Sequence, residues 1–165
     1  MTDTFSEVRN RSITDIKQFI RANLGDRDIN VQDGGWSLLH LAAIHDGNVE
    51  VVRALVAMGA NVNVKGNDGI TPLLYAILVG SYEIAKVLVS LEADVNAKGN
   101  DGMSPLHAVV VPGNVELAKF LVSKGADVNA KSLVSPEGEF YTPLDFAKRK
   151  GDAAMVQYLS SIGTK

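Results

Sequence analysis

The stretch Gly125-Ala126-Asp127-Val128-Asn129-Ala130 contains the phrase that decides the fold of this chain. Its core is an acidic or amide residue, then Ile or Val, then Asn, and its asparagine returns every 33 residues, at Asn30, Asn63, Asn96 and Asn129. A fixed period of this length means that one supersecondary unit is copied and stacked, which predicts a solenoid. Solenoids usually act through an extended surface, so the period also bears on function.

A second phrase recurs in register with the first. It is clearest as Gly69-Ile70-Thr71-Pro72-Leu73-Leu74 and as Gly102-Met103-Ser104-Pro105-Leu106-His107, and variants begin at Gly35 and Tyr141. A Ser or Thr before Pro suits an N-cap followed by the first helical position, where the missing N–H of proline costs nothing. We therefore expect a short helix over Pro72–Val79, ended by Gly80, and a second helix over about Tyr82–Ser90.

The faces of the second helix follow from its residue spacing. Apolar residues spaced to face a core are Ile84, Ala85, Val87 and Leu88. Oppositely charged residues three apart, such as Glu83 and Lys86, mark the solvated face. The Gly- and Asn-rich stretch at 99–102 then suits a projecting, hairpin-like loop.

The two phrases together resemble the ankyrin repeat, whose signature is a 33-residue unit carrying Thr-Pro-Leu-His. The resemblance covers about residues 13–163. It implies an all-α fold class, an ankyrin-repeat solenoid of stacked helix-turn-helix units with projecting hairpin-like loops. We expect one domain over residues 1–165: an N-terminal cap at 1–32, three repeats at 33–65, 66–98 and 99–131, and a long loop with a C-terminal cap repeat at 132–165. Amphipathic helices at 12–23 and 153–160 would form the caps.

The composition restricts the kind of partner. The chain has 165 residues, of which 46% are hydrophobic and 21% charged, which is typical of a soluble globular protein. A net charge of −3 argues against nucleic acid or an anionic membrane bound by bulk electrostatics. The absence of cysteine excludes disulfides and thiolate metal sites. No signal peptide or membrane span is evident, so we expect a cytoplasmic protein or one exported without an N-terminal signal.

A candidate binding surface follows from the repeat register. The residues before the helix N-caps would lie in a column beside the loop tips: Trp36, Ile70, Met103 and Tyr141. The turn-side ends of the first helices add Ile44, His45, Leu78, Val79, Val111 and Pro112. The resemblance implies that these two sets line a concave groove that holds partners. They are largely apolar, which is typical of an interaction surface, although the same residues could instead pack on neighbouring loops.

The last interval between helix starts breaks the period. Ser104 and Thr142 lie 38 residues apart, so the loop that follows the third repeat is five residues longer than the others. Insertions of this kind often map to the binding face, although a neutral, drifted loop is the alternative. The loop carries three apolar residues that we add to the candidate site: Leu133, Val134 and Phe140.

Charges near this surface indicate the sign of a partner. The loop tips carry an acidic rim that favours a basic partner, formed by Asp33, Asp68, Asp101, Glu137 and Glu139. Arg149 and Lys150 break the apolar pattern in the last repeat.

Catalytic chemistry is not indicated. His40 and His107 fall on the motif position, where the resemblance implies a hydrogen bond to neighbouring backbone, and Leu74 and Asp145 occupy the same position in other repeats. We find no Ser-His-Asp arrangement, metal-ligand spacing or phosphate-binding loop, so we predict no enzyme activity and no cofactor. Three of the periodic asparagines, Asn63, Asn96 and Asn129, stand eight residues after a leucine, a context that in eukaryotic ankyrin repeats can be hydroxylated. Side-chain hydrogen bonds that hold the hairpin explain them more simply.

These observations favour a non-catalytic protein–protein interaction module, monomeric, that binds a protein partner through its groove and loop tips. The alternative is a dedicated inhibitor or immunity-type protein that neutralises an enzyme or toxin. An enzyme or small-molecule binder ranks last, because no site for it is evident.

Overall fold

The computed structural model describes residues 18, 20–22, 25, 28–30, 32–44, 48–133 and 139–163, with the backbone alone at Asp33 and Leu133. The described residues are mostly helical, which confirms the predicted fold class. The chain divides into two compact units: Met1–Asn67 with Thr71–Ala93, and Asp68–Ile70 with Asp94–Lys165. Most of the predicted cap helix at 12–23 lies outside the described residues, although 18 and 20–22 are helical and Ile20 is buried.

The described residues from Gln32 onward in the first unit form two helix pairs and one short hairpin. Strands β1 (Gln32–Asp33) and β2 (Trp36–Ser37) pair antiparallel, with Gln32 opposite Ser37. Four helices follow: α1 (Leu38–Ala42), α2 (Val49–Ala57), α3 (Pro72–Val79) and α4 (Tyr82–Ser90). Helix α1 packs on α3, and α2 packs on α4, so the two pairs stack side by side.

The second unit repeats this arrangement. Its helices are α5 (Pro105–Val110), α6 (Val115–Ser123), α7 (Pro143–Lys150) and α8 (Ala153–Ile162). Strands β3 (Ser132–Leu133) and β4 (Phe140–Tyr141) pair antiparallel, with Ser132 opposite Tyr141. They form the stem of the long loop, whose tip at 134–138 lies outside the described residues.

Helix boundaries follow the capping residues. The Thr71 side chain accepts a hydrogen bond from the backbone N–H of Leu74, and α3 ends at Gly80, which has a left-handed φ of 86°. This is the conformation that glycine adopts at least cost. Both helices predicted in this repeat therefore have the predicted bounds. Helix α8 is two residues longer than predicted, because the chain offers no capping glycine before Gly163.

The second helices have one buried and one solvated face. In α4, Ile84, Ala85 and Leu88 are fully buried as predicted, whereas Val87 is only half-buried. Two ion pairs predicted on the opposite face are present and exposed, with Nζ–Oε1 distances of 2.8 Å in Lys86–Glu83 and 2.7 Å in Lys119–Glu116. Glu50 and Arg53, which have the same spacing in α2, form no ion pair with described residues. Exposed pairs of this kind contribute only about 0.3–0.5 kcal/mol each, so burial of the apolar face dominates.

Two of the period asparagines, Asn30 and Asn96, join successive repeats through their side chains. Asn96 donates from Nδ2 to the carbonyl of Gly125 at 3.0 Å and accepts at Oδ1 from the N–H of Asp127 at 2.8 Å. In the first unit Asn30 makes the same two bonds two repeats earlier, to Gly59 and Asn61. The hairpin is held instead by the preceding acidic residue, as where Asp94 Oδ1 accepts from the N–H of Asn96. The asparagine is therefore a clamp between repeats.

We expect Asn96→Ala to lower the free energy of unfolding by about 1–2 kcal/mol, because two bonds between repeats are lost. The matched control is Asn129→Ala, since among the described residues the Asn129 side chain makes no such bond between repeats. Urea unfolding followed by circular dichroism measures both. Equal losses in the two variants would contradict the clamp.

Candidate functional site

Buried histidines anchor the helix starts that carry the predicted column. The hydroxyl of Ser104 lies 2.8 Å from His107 Nδ1, and His107 Nε2 lies 2.9 Å from the carbonyl oxygen of Tyr141. His40 makes the corresponding contact with Ser37 at 2.9 Å. These contacts confirm that the motif histidines bond neighbouring backbone and hydroxyl groups. His107 thereby fixes the backbone of Tyr141, a candidate site residue one repeat later.

Asp145 replaces the histidine in the last repeat and keeps the cap. Its Oδ2 accepts hydrogen bonds from the Thr142 N–H at 2.9 Å and from the Thr142 hydroxyl at 2.7 Å. These hydroxyl and backbone bonds hold the pKa of the Asp145 carboxyl below its usual value. The Asp145 carboxylate therefore closes the start of α7 as the imidazoles of His40 and His107 close the starts of α1 and α5.

In the first unit Trp36 packs against aromatic neighbours. Its ring centroid lies 4.7 Å from that of Tyr75, with the planes tilted by 32°, and 5.4 Å from that of His40 in an edge-on arrangement. Trp36 and Tyr75 both stay half-buried. Part of the Trp36 indole surface is thus covered by neighbouring residues, as the packing alternative expected, and the rest is accessible to solvent.

The first unit also exposes large apolar side chains at the ends of its first helices. Leu41 is 39% exposed, and Leu78 and Val79 are each 43% exposed. Neither α1 nor α3 carries an Asp, Glu, Lys or Arg. Ile44 is half-buried, and its carbonyl accepts a hydrogen bond from the Ser81 hydroxyl at 2.6 Å. We call Leu41, Leu78 and Val79 the apolar patch.

The second unit presents the other described candidates. Val111 is 51% exposed, Phe140 is 59% exposed, and Pro112 is also exposed. Ile70, Met103 and Tyr141 are half-buried. Their backbone is ordered by local bonds, as where the Met103 N–H donates to Asp101 Oδ1 at 2.8 Å.

An open pocket of about 450 Å³ lies in the second unit. It is lined by Val110, Val111, Tyr141, Phe146, Arg149 and Lys150, and we call it the Arg149 pocket. The Arg149 guanidinium lies 4.7 Å above the centre of the Tyr141 ring and donates a hydrogen bond to the Tyr141 hydroxyl. That hydroxyl donates to Glu139 at 2.6 Å, and this bond is the main cause of the raised pKa of Tyr141.

Some residues of the predicted binding surface and acidic rim fall outside the part of the chain that the structure describes. His45, Val134 and Glu137 lie outside the described residues, as do the side chains of Asp33 and Leu133. Of the predicted acidic rim, Asp101 and Glu139 are engaged in the local bonds given above, and Asp68 is exposed.

Sequence reasoning missed three residues next to the candidate surface: Leu41, Tyr75 and Phe146. All three occupy the fourth position of a first helix, and the third repeat has Ala108 there. The recurrence of large side chains in this register was the available signal. The predicted column contains only residues that precede an N-cap, so it does not include this fourth helical position.

Among the described residues, no group of three or more His, Asp or Glu side chains is arranged to hold a metal ion. The helices of that part of the chain include none that is long and apolar enough to cross a membrane.

Comparison with protein-family models gives two matches. The model described as ankyrin repeats (3 copies) matches residues 7–99 and 66–132, and the model described as ankyrin repeats (many copies) matches residues 106–159. The first alone spans more than half of the chain. No curated protein matched in the corresponding search.

Burial of His107 predicts a pH dependence of stability. Desolvation lowers its folded-state pKa below 6.5, so the unfolded chain binds the proton more readily. The stability that neutral His107 provides is full above the unfolded pKa and is lost as the pH falls below it. We expect the free energy of unfolding to fall between about pH 7.5 and pH 5.

His107→Leu, which copies Leu74 at the equivalent position, should be less stable at neutral pH but should lose less stability on acidification. Urea unfolding at a series of pH values compares the two proteins. Parallel losses would show that another group titrates.

Proposed function

The chain belongs to the ankyrin-repeat family, and on that premise we propose that it is a non-catalytic module that binds a protein partner. Ankyrin repeats are generally protein–protein interaction modules. We propose further that it acts as a cytoplasmic monomer and that the partner contacts the apolar patch together with the accessible parts of the predicted column.

The observation that carries this proposal is the exposure of Leu78 and Val79 at the end of an uncharged helix. A complex is stabilised by about 25 cal/mol for each Å² of apolar surface that the partner removes from water. Neighbouring exposed apolar side chains such as Leu78 and Val79 are typical of an interaction site on a folded surface.

The backbone beneath the patch supports preorganised binding. Helix α3 is capped by Thr71 at one end and by Gly80 at the other, and it packs on both α1 and α4. Leu78 and Val79 are thus held on a rigid helix before the partner binds. A partner that docks there orders few additional groups, which reduces the entropic cost of association.

We expect the double substitution Leu78→Ser, Val79→Ser to weaken partner binding at least about tenfold, because two apolar contacts are lost. The partner is isolated by affinity capture from the native host, and its affinity is measured by isothermal titration calorimetry. The control is Glu83→Ser, Lys86→Ser on α4, which removes an exposed ion pair on the neighbouring helix. If the patch variant is folded and binds as tightly as the control, this assignment is wrong.

Alanine at Trp36, Met103 and Tyr141 tests the column separately. Trp36→Ala also removes the stack on Tyr75, so we expect a loss of stability at that position in addition to a loss of affinity. Measuring the partner's own activity in the complex distinguishes simple capture from inhibition.

A further inference from the structure

The first helix of the last repeat, α7, ends in charged residues, unlike the first helices of the preceding repeats. The residues Leu78 and Val79 of α3 correspond in register to Val111 and Pro112 after α5, and to Arg149 and Lys150 in α7. The last turn of α7 is Lys148-Arg149-Lys150, and all three side chains are exposed. A position that is apolar in two repeats is therefore cationic in the last, although the chain as a whole carries a net charge of −3.

This cationic turn borders an apolar cavity. Val110, Val111 and Phe146 line the Arg149 pocket together with the Tyr141 ring, which meets the Phe146 ring edge-on at a centroid distance of 6.3 Å. Its volume of about 450 Å³ lies within the range of sites that hold small molecules or large side chains. The pocket therefore combines an apolar lining with positive charge at one wall.

The two basic residues of the pocket have different tasks. Lys150 Nζ donates to the carbonyls of Val110 at 3.1 Å and Val111 at 2.7 Å, so it satisfies the carboxyl end of α5. Arg149 stacks on Tyr141 and, among the described residues, donates one hydrogen bond. With respect to the described residues, most of its guanidinium N–H donors are therefore available to a ligand.

The nearby carboxylates are already engaged. Glu139 accepts the hydrogen bond of the Tyr141 hydroxyl, and Asp152 accepts the N–H of Met155 at 3.1 Å as the N-cap of α8. Asp152 Oδ2 also lies 3.8 Å from Lys150 Nζ. The side chain best placed to accept a new anion is thus Arg149, whose planar fork matches a carboxylate.

We propose that the Arg149 pocket receives an apolar side chain from an acidic segment of the protein partner, with Arg149 bonding the carboxylate of a neighbouring Asp or Glu. This inference rests on the proposed protein-binding function and adds the chemistry of the partner. It reverses the sign expected from the acidic rim, because α7 ends in three exposed cations at the wall of this pocket. A basic segment would be repelled here.

The test is selection of short peptides from a random linear library displayed on phage, with the full-length chain as the immobilised target. Enriched peptides should place Phe, Trp or Leu within two residues of an Asp or Glu. Enrichment of Lys- or Arg-rich peptides, or no enrichment, would overturn the inference.

The variant Arg149→Leu distinguishes a specific contact with a carboxylate from nonspecific apolar binding. We expect it to weaken binding of a selected peptide at least about tenfold, and Arg149→Lys to weaken it less, because a charged hydrogen bond is lost or made less specific. The matched control is Arg53→Leu, an exposed arginine of α2 in the first unit, which should leave the affinity unchanged. An Arg149→Leu protein that is folded and binds within about twofold of the parent contradicts the proposal.

The two proposals fail separately. If Arg149→Leu leaves the native partner bound with full affinity while the apolar-patch variant loses it, the protein-binding function stands and the acidic segment is wrong. If the patch variant keeps the native partner and Arg149→Leu loses it, binding is centred on the Arg149 pocket.

Discussion

The rest of this structure depends on the shortness of its helices. In the described ranges they run from five residues in α1 to ten in α8, which is too few for a helix to be stable alone in water. Each helix is therefore stable only while it buries a face against its pair partner and against the other helix pair of its compact unit. Burial of Leu39, Leu73 and Leu106, one from each of three successive first helices, reflects that requirement.

The same constraint explains why so much polar chemistry is structural. Ser104 and His107 close the start of α5 and tie it to the backbone of Tyr141, and Asn96 ties one repeat to the next. Groups that in another fold could serve catalysis are thus occupied in holding short elements together. The surface that remains for function is the one the stack does not need, which includes the exposed ends of α3 and α7. Those ends differ in chemistry: Leu78 and Val79 are apolar, whereas Arg149 and Lys150 are cationic.

The repeat register made the fold predictable, and its residue-level contacts were harder to predict. The bounds of α3 followed from Thr71, Pro72 and Gly80, because capping acts over a few residues along the chain, and α4 followed from the spacing of its apolar residues. The partners of Asn96 did not follow, since a side-chain amide can reach its own turn or the next repeat with equal ease. The stack of Arg149 on Tyr141 was not predicted either, because the equivalent pairs in the preceding repeats, Ile70–Leu78 and Met103–Val111, contain neither a cation nor an aromatic ring. The partner-binding role of all the candidate site residues remains a prediction, and His45 and Val134 lie outside the described residues.

The central claim is that a partner covers the ends of the first helices and leaves the solvated face of the second helices free. Hydrogen–deuterium exchange of the full-length chain, alone and with the captured partner, tests this most directly. The account predicts slower exchange in peptides spanning residues 75–81 and 108–113, with no change at 83–90 or 116–124. Protection confined to those second-helix segments would contradict it.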